Sequence, residues 1–142
     1  MSVETGKLSR LAGLLFLLLF LMSCAGTPGQ VKAGLGQQFS LAINQTATVS
    51  GENLKIKFLD VTGESRCPTG VTCIWAGEVS AVIEVGDGSS ANLTLVEPGH
   101  GGQSNQTYKN YIFSFHVEPY PEVGKPIMEG DYRLLLTVDK QR

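Results

Sequence analysis

From residue 39 onward, apolar and polar positions alternate with a period of two. Phe39, Leu41 and Ile43 alternate with Ser40, Ala42 and Asn44, and a short Thr46 to Ser50 segment carries the pattern on. Ser50-Gly51-Glu52-Asn53 has turn chemistry. Leu54, Ile56 and Phe58 then share a face opposite Lys55 and Lys57, and Leu59 and Val61 break the phase, which predicts a bulge near Phe58. Val79, Ala81, Ile83 and Val85 form another stripe, and Gly86-Asp87-Gly88-Ser89 signals a hairpin into Ala91, Leu93 and Leu95. Tyr111, Phe113, Phe115 and Val117 make the most aromatic stripe, and Tyr132, Leu134, Leu136 and Val138 close the chain. No window after residue 38 repeats apolar residues at helical spacing. The pattern predicts an all-β domain over 39–142, an antiparallel sandwich of about seven strands with an immunoglobulin-like (Ig-like) build, because each one-sided strand needs an opposing sheet. A small β-barrel is the competing architecture.

The front of the chain differs. Lys7 and Arg10 precede an unbroken apolar run from Leu11 to Met22. A spanning helix needs ~20 apolar residues, so the run has the build of a signal peptide, assigned to 1–23. Leu21-Met22-Ser23-Cys24 follows, then Ala25-Gly26. This resembles the lipobox of bacterial lipoproteins, and the resemblance implies a diacylglyceryl thioether on Cys24, cleavage before it and a membrane anchor through N-terminal lipid. Ser23-Cys24-Ala25 also fits an ordinary small-x-small cleavage site, which would give a secreted protein. Residues 24–38, with Gly26, Pro28, Gly29, Gly34 and Gly36, read as a flexible tether.

Of 142 residues, 11 are basic and 13 acidic, a formal charge of -2 with no Lys/Arg cluster. That excludes a phosphate-neutralising surface, so no nucleic-acid partner is expected. Three cysteines are present. Acylation of Cys24 leaves Cys67 and Cys73, between which Pro68-Thr69-Gly70 supplies a tight turn. A disulfide is expected there, since export favours oxidation and a metal would need more ligands than these two.

The stretch Glu64-Ser65-Arg66-Cys67-Pro68…Cys73-Ile74-Trp75-Ala76-Gly77, with Pro119-Tyr120-Pro121 and the closing Asp131 to Val138, resembles a family of small bacterial secreted proteins and lipoproteins. The family carries an acidic-Ser-Arg-Cys-Pro…Cys-x-Trp-Ala-Gly box. The resemblance brings an address and a fold, and no activity. Arg66 and Trp75 are the candidate binding surface; against that, Arg66 is expected to pair with Glu64 or cap loop carbonyls, and Trp75 to pack on the disulfide.

His100 lies in a Gly-rich loop beside Ser104, and His116 on a strand face opposite the aromatic stripe. A nucleophilic hydrolase would use Ser104 with either histidine as base, but the esterase glycine spacing is missing. Two histidines on separate elements are a weak metal signal. No catalytic residue, metal or cofactor is therefore assigned. The reading is a non-catalytic, monomeric, lipid-anchored module on the extracytoplasmic side of a cell or outer membrane, with a protein or glycan ligand. The alternatives are a protease inhibitor presenting Thr69-Gly70-Val71 from the Cys67–Cys73 loop, or a small hydrolase.

Overall fold

The computed structural model describes residues 29–99 and 101–142. The signal segment, Cys24 and His100 lie outside the described residues. Among the described residues nine strands follow one another, β1 (Val31–Ala33), β2 (Gln38–Ala42), β3 (Thr46–Val49), β4 (Leu54–Glu64), β5 (Glu78–Gly86), β6 (Ser90–Pro98), β7 (Ser104–Tyr108), β8 (Tyr111–Glu118) and β9 (Arg133–Lys140), with a 3-10 turn at Glu129–Asp131. They form two open sheets, ordered β1-β3-β4-β5-β6 and β2-β9-β8-β7. The fold is the expected all-β sandwich and not a closed barrel.

Two details of the expectation change. The strand count is nine rather than about seven, and the first pair, β1 with β3, is parallel while the others are antiparallel. β1 falls inside the stretch read as tether: Val31 aligns with Ala47 and Ala33 with Val49, so the described part of 24–38 already joins the sheet. A three-residue strand between glycines has too little sequence to show a period. β7 was equally invisible, since Ser104–Tyr108 has no buried residue and is held by its backbone ladder to β8.

The stripes do converge. Leu54, Ile56 and Phe58 from β4, Val79 to Val85 from β5, Tyr111 to Val117 from β8 and Tyr132 to Val138 at β9 belong to one buried cluster joining both sheets. Burying each large apolar side chain stabilises the fold by ~1.5–3 kcal/mol, which makes this cluster the main driving force. The bulge expected near Phe58 is present as a register shift between Phe58 and Asp60, with a second between Val61 and Gly63. By re-aiming the end of β4, these shifts carry Glu64 and Arg66 inward toward the end of the opposite sheet.

Candidate functional site

One end of the sandwich gathers the sequence's conspicuous residues: the β4–β5 loop with the disulfide, the C-terminal ends of β6 and β8, and the 119–132 connection. Cys67 and Cys73 are bonded, with Cα atoms 5.9 Å apart. The expected disulfide is present, and Gly70, at φ +95°, makes the turn between its halves.

Arg66 is not part of a binding surface, since 2% of it is exposed; it follows the other expectation, pairing with Glu64 and capping carbonyls. Its Nε donates to both Glu64 carboxylate oxygens at 2.9 and 3.1 Å, its Nη1 to the Val117 carbonyl at 2.7 Å and its Nη2 to the Pro119 carbonyl at 3.0 Å. The guanidinium also lies over the Tyr120 ring, 5.0 Å from its centroid, where the ring's negative face attracts it. The reason for burial lies in the strand register. β7 pairs with β8 only from Tyr111 to Phe115, so β8 continues past its neighbour. In an antiparallel ladder a residue's N–H and C=O leave on the same edge, and Val117 presents both where β7 has ended. Arg66 donates to that carbonyl, and Glu97 Oε2 accepts the Val117 N–H at 2.7 Å.

Glu97 was missed. It is fully buried, and its Oε1 lies 2.8 Å from His116 Nδ1 and 3.8 Å from Arg66 Nη1. The signal was available, because Glu97 is the next position in the Ala91, Leu93, Leu95 alternation and faces inward with them. Beside this cluster Tyr132 is buried, and burial followed by the nearby Glu64 charge pushes its phenol above the ordinary tyrosine value. His116 thus binds Glu97, and Ser104 is not among its partners. His116 also lines an open groove of 410 Å³ with Glu118, Pro119, Tyr120, Asp131 and Arg133. Among the described residues no group of three His, Cys, Asp or Glu could hold a metal ion.

Two glycines lock the loop onto this base. A Cβ on Gly77, which also has φ +70°, would sit 1.8 Å from the Ser65 carbonyl oxygen, and one on Gly99 would sit 1.9 Å from that of Ala76. The close approaches allow Cys67 N–H to reach the Ala76 carbonyl at 2.9 Å and Gly99 N–H the Gly77 carbonyl at 2.8 Å. Tyr120 donates its hydroxyl to the Gly99 carbonyl. On the other side Thr69 N–H donates to Pro121 at 2.9 Å and its carbonyl accepts from Val123 at 3.2 Å. Thr69 therefore has no free backbone pair to offer a protease strand, which weighs against the inhibitor reading.

What this framework presents is apolar. Ile74 is 94% exposed and Trp75 82%; Trp75 does not pack on the disulfide as expected. The backbone bond between Cys67 and Ala76 pinches the loop at its base and turns the residues between them outward. Val71 and Val123 are exposed too, and Val123 lies against Gly70. The chain matches no protein-family model, no curated protein and no solved structure.

Proposed function

We propose that this chain is an extracytoplasmic lipoprotein anchored through Cys24, whose β domain is a non-catalytic binding module with the disulfide-braced Ile74-Trp75 tip as its contact element. One observation carries the reading: a dense buried polar framework holds rigid a loop whose largest side chains are in water. Exposing Ile and Trp side by side forfeits ~1.5–3 kcal/mol of burial for each, a cost that a partner surface recovers. Rigidity lowers the ordering entropy of contact. The disulfide agrees with an oxidising compartment, and the lipobox-like Leu21 to Cys24 supplies the address.

The test has two arms. Intact mass of membrane-extracted protein should show a chain beginning at Cys24 with acyl groups; a lipid-free chain beginning at Gly26 removes the anchor. A photo-crosslinking amino acid replacing Trp75 in cells should give adducts that the same group at exposed Gln106 on β7 does not. Equal labelling at both positions, or none at 75, removes the tip as contact element.

A further inference from the structure

Four strands, β1, β2, β6 and β7, form the outer edges of the two sheets, and β6 is unlike the rest. β1 has three residues and β2 and β7 have five each, whereas β6 has nine and pairs with β5 along its whole length without a register shift. A sheet edge is ordinarily blunted by shortness, a bulge or a charged side chain, because its row of unpaired N–H and C=O groups accepts another strand. From Ser90 to Val96, β6 carries no charge.

The phase of the ladder shows which groups are open. Gly99 N–H donates to the Gly77 carbonyl at 2.8 Å, and Asp87 N–H to the Ser89 carbonyl at 3.1 Å. The Val79–Glu97, Ala81–Leu95, Ile83–Leu93 and Val85–Ala91 pairs fall in the same alternation and exchange the bonds between β5 and β6. The N–H and C=O groups of Ser90, Asn92, Thr94 and Val96 therefore point away from β5, and among the described residues no backbone hydrogen bond from another element reaches them. Their side chains are exposed. On the inner face Leu95 and Glu97 are fully buried while Ala91 and Leu93 are only half-buried, so cover is missing over the first part of the strand.

This edge matches itself. Laid antiparallel to a second copy about a two-fold axis at Leu93, Ser90 meets Val96 and Asn92 meets Thr94, and every open N–H and C=O of the four residues gains a partner. On the inner face Leu93 meets Leu93 on the axis and Ala91 meets Leu95, small against large; on the outer face Asn92 and Thr94 form a polar pair. No like charges are opposed from Ser90 to Val96. Other registers fit worse: a slip of one residue sets open groups against groups already bonded to β5, and a slip of two sets Ser90 against Pro98, which has no N–H, or Val96 against Gly88 in the turn.

We infer that two copies of this chain join through β6, merging their five-stranded sheets into one continuous sheet. A foreign strand would need only the open backbone; the self-matching of Leu93, and of Ala91 with Leu95, favours a copy. The dimer takes the place of the monomer expected from the sequence, and it depends on neither the lipid anchor nor the Ile74-Trp75 tip. Because the two β6 strands run in opposite directions, the tips stand at opposite ends of the assembly and one dimer presents a contact element at each.

The register is tested by cysteines placed in the full chain, with membrane and soluble fractions oxidised mildly and run on non-reducing gels beside the unaltered chain. Ser90→Cys or Val96→Cys alone leaves the two thiols six residues apart across the axis, ~20 Å at ~3.3 Å per residue, beyond disulfide reach. Together in one chain they face each other across the interface and should give a reducible band at twice the monomer mass. Leu93→Cys should give the same band alone, since directly opposed residues that exchange no backbone bonds have Cα atoms ~4.5 Å apart. A dimer from the double variant and from neither parent sustains the inference, and it does so even where Leu93→Cys disturbs the half-buried site. No dimer from the double variant, or as much from either parent, overturns it. A mixed disulfide with a different protein in place of the dimer assigns the edge to a foreign strand and overturns self-pairing.

Discussion

Arg66 and Glu97 do at the end of β8 what a neighbouring strand does along the rest of it, one satisfying the Val117 carbonyl and the other its N–H. Removing the cation would leave the Glu64 and Glu97 carboxylates without the charge between them and the Val117 and Pro119 carbonyls without the guanidinium donor. Breaking a buried pair by deleting one partner costs ~3–5 kcal/mol, so Arg66→Met should lower unfolding stability by that order in denaturant titration. Adding Glu97→Gln to that variant removes the uncompensated charge and should recover part of the loss. Additive effects of the two changes would mean that the residues do not act as one unit. Arg66→Lys should also be poorly tolerated, because one ammonium cannot replace a planar fork that reaches Glu64, Val117 and Pro119 together. The glycines supply a second test at this scale. Gly77→Ala and Gly99→Ala each force a methyl into a carbonyl and should cost more than ~3 kcal/mol. Gly130→Ala, with nothing within 4 Å of its added carbon, should stay within ~0.5 kcal/mol.

At the scale of elements, the disulfide closes a short loop that is already held by backbone bonds at Thr69 and Cys67. In the chain-entropy treatment a loop of this length contributes ~2.4 kcal/mol, so Cys67→Ser with Cys73→Ser should yield a folded domain weakened by about that much. The effect on the tip should exceed the effect on the fold: amide exchange should rise at Val71 to Trp75 and stay low in β5 and β8. Uniform exchange across the domain would show that the disulfide supports the core instead. Legibility in the sequence follows the same division. Strands that bury one face announced themselves, because Val79 to Val85 and Tyr111 to Val117 must alternate to fill the core. β1 and β7 stayed silent because they are short and bury almost nothing, β1 only Ala33 and β7 no residue, so that backbone pairing holds them and leaves little mark on side-chain identity. The disulfide could be read from spacing and turn chemistry. The exposure of Trp75 could not, since an apolar side chain beside a cystine is compatible with either side of the loop. Nor could the burial of Arg66, which depends on where β7 stops relative to β8.

Across the whole molecule, the two sheets share an apolar interior and are also joined by polar contacts at both ends. Away from the disulfide, Glu52, in the β3–β4 turn of one sheet, accepts from the Tyr111 hydroxyl at 2.7 Å and from Lys140 Nζ at 3.0 Å, both on the other sheet. The hydrogen bond from Tyr111, then that from Lys140, hold the Glu52 carboxyl below the ordinary carboxylate value. The same bond to Glu52 holds the Tyr111 phenol above its ordinary value. The signs of the linkage follow. Folding favours ionised Glu52, so its contribution is complete above the unfolded carboxyl pKa and is lost as pH falls through the lowered folded value. Folding favours neutral Tyr111, so its contribution is complete below the unfolded phenol pKa and is lost as pH rises through the raised folded value. The clamp should therefore act at full strength across the neutral range and fail on both flanks. Thermal melts of the unaltered protein and of Glu52→Gln should differ most between the ordinary carboxylate and phenol values, and the gap should narrow toward acid. Curves that stay parallel through the acid flank would show that Glu52 contributes by packing or turn geometry and not by its charge. The arrangement has a consequence for function: at the disulfide end the charges that join the sheets, Glu64, Arg66 and Glu97, are buried or nearly so, and the Cys67–Gly77 stretch that carries Ile74 and Trp75 has none, so the tip itself can meet an apolar surface without desolvating an ion.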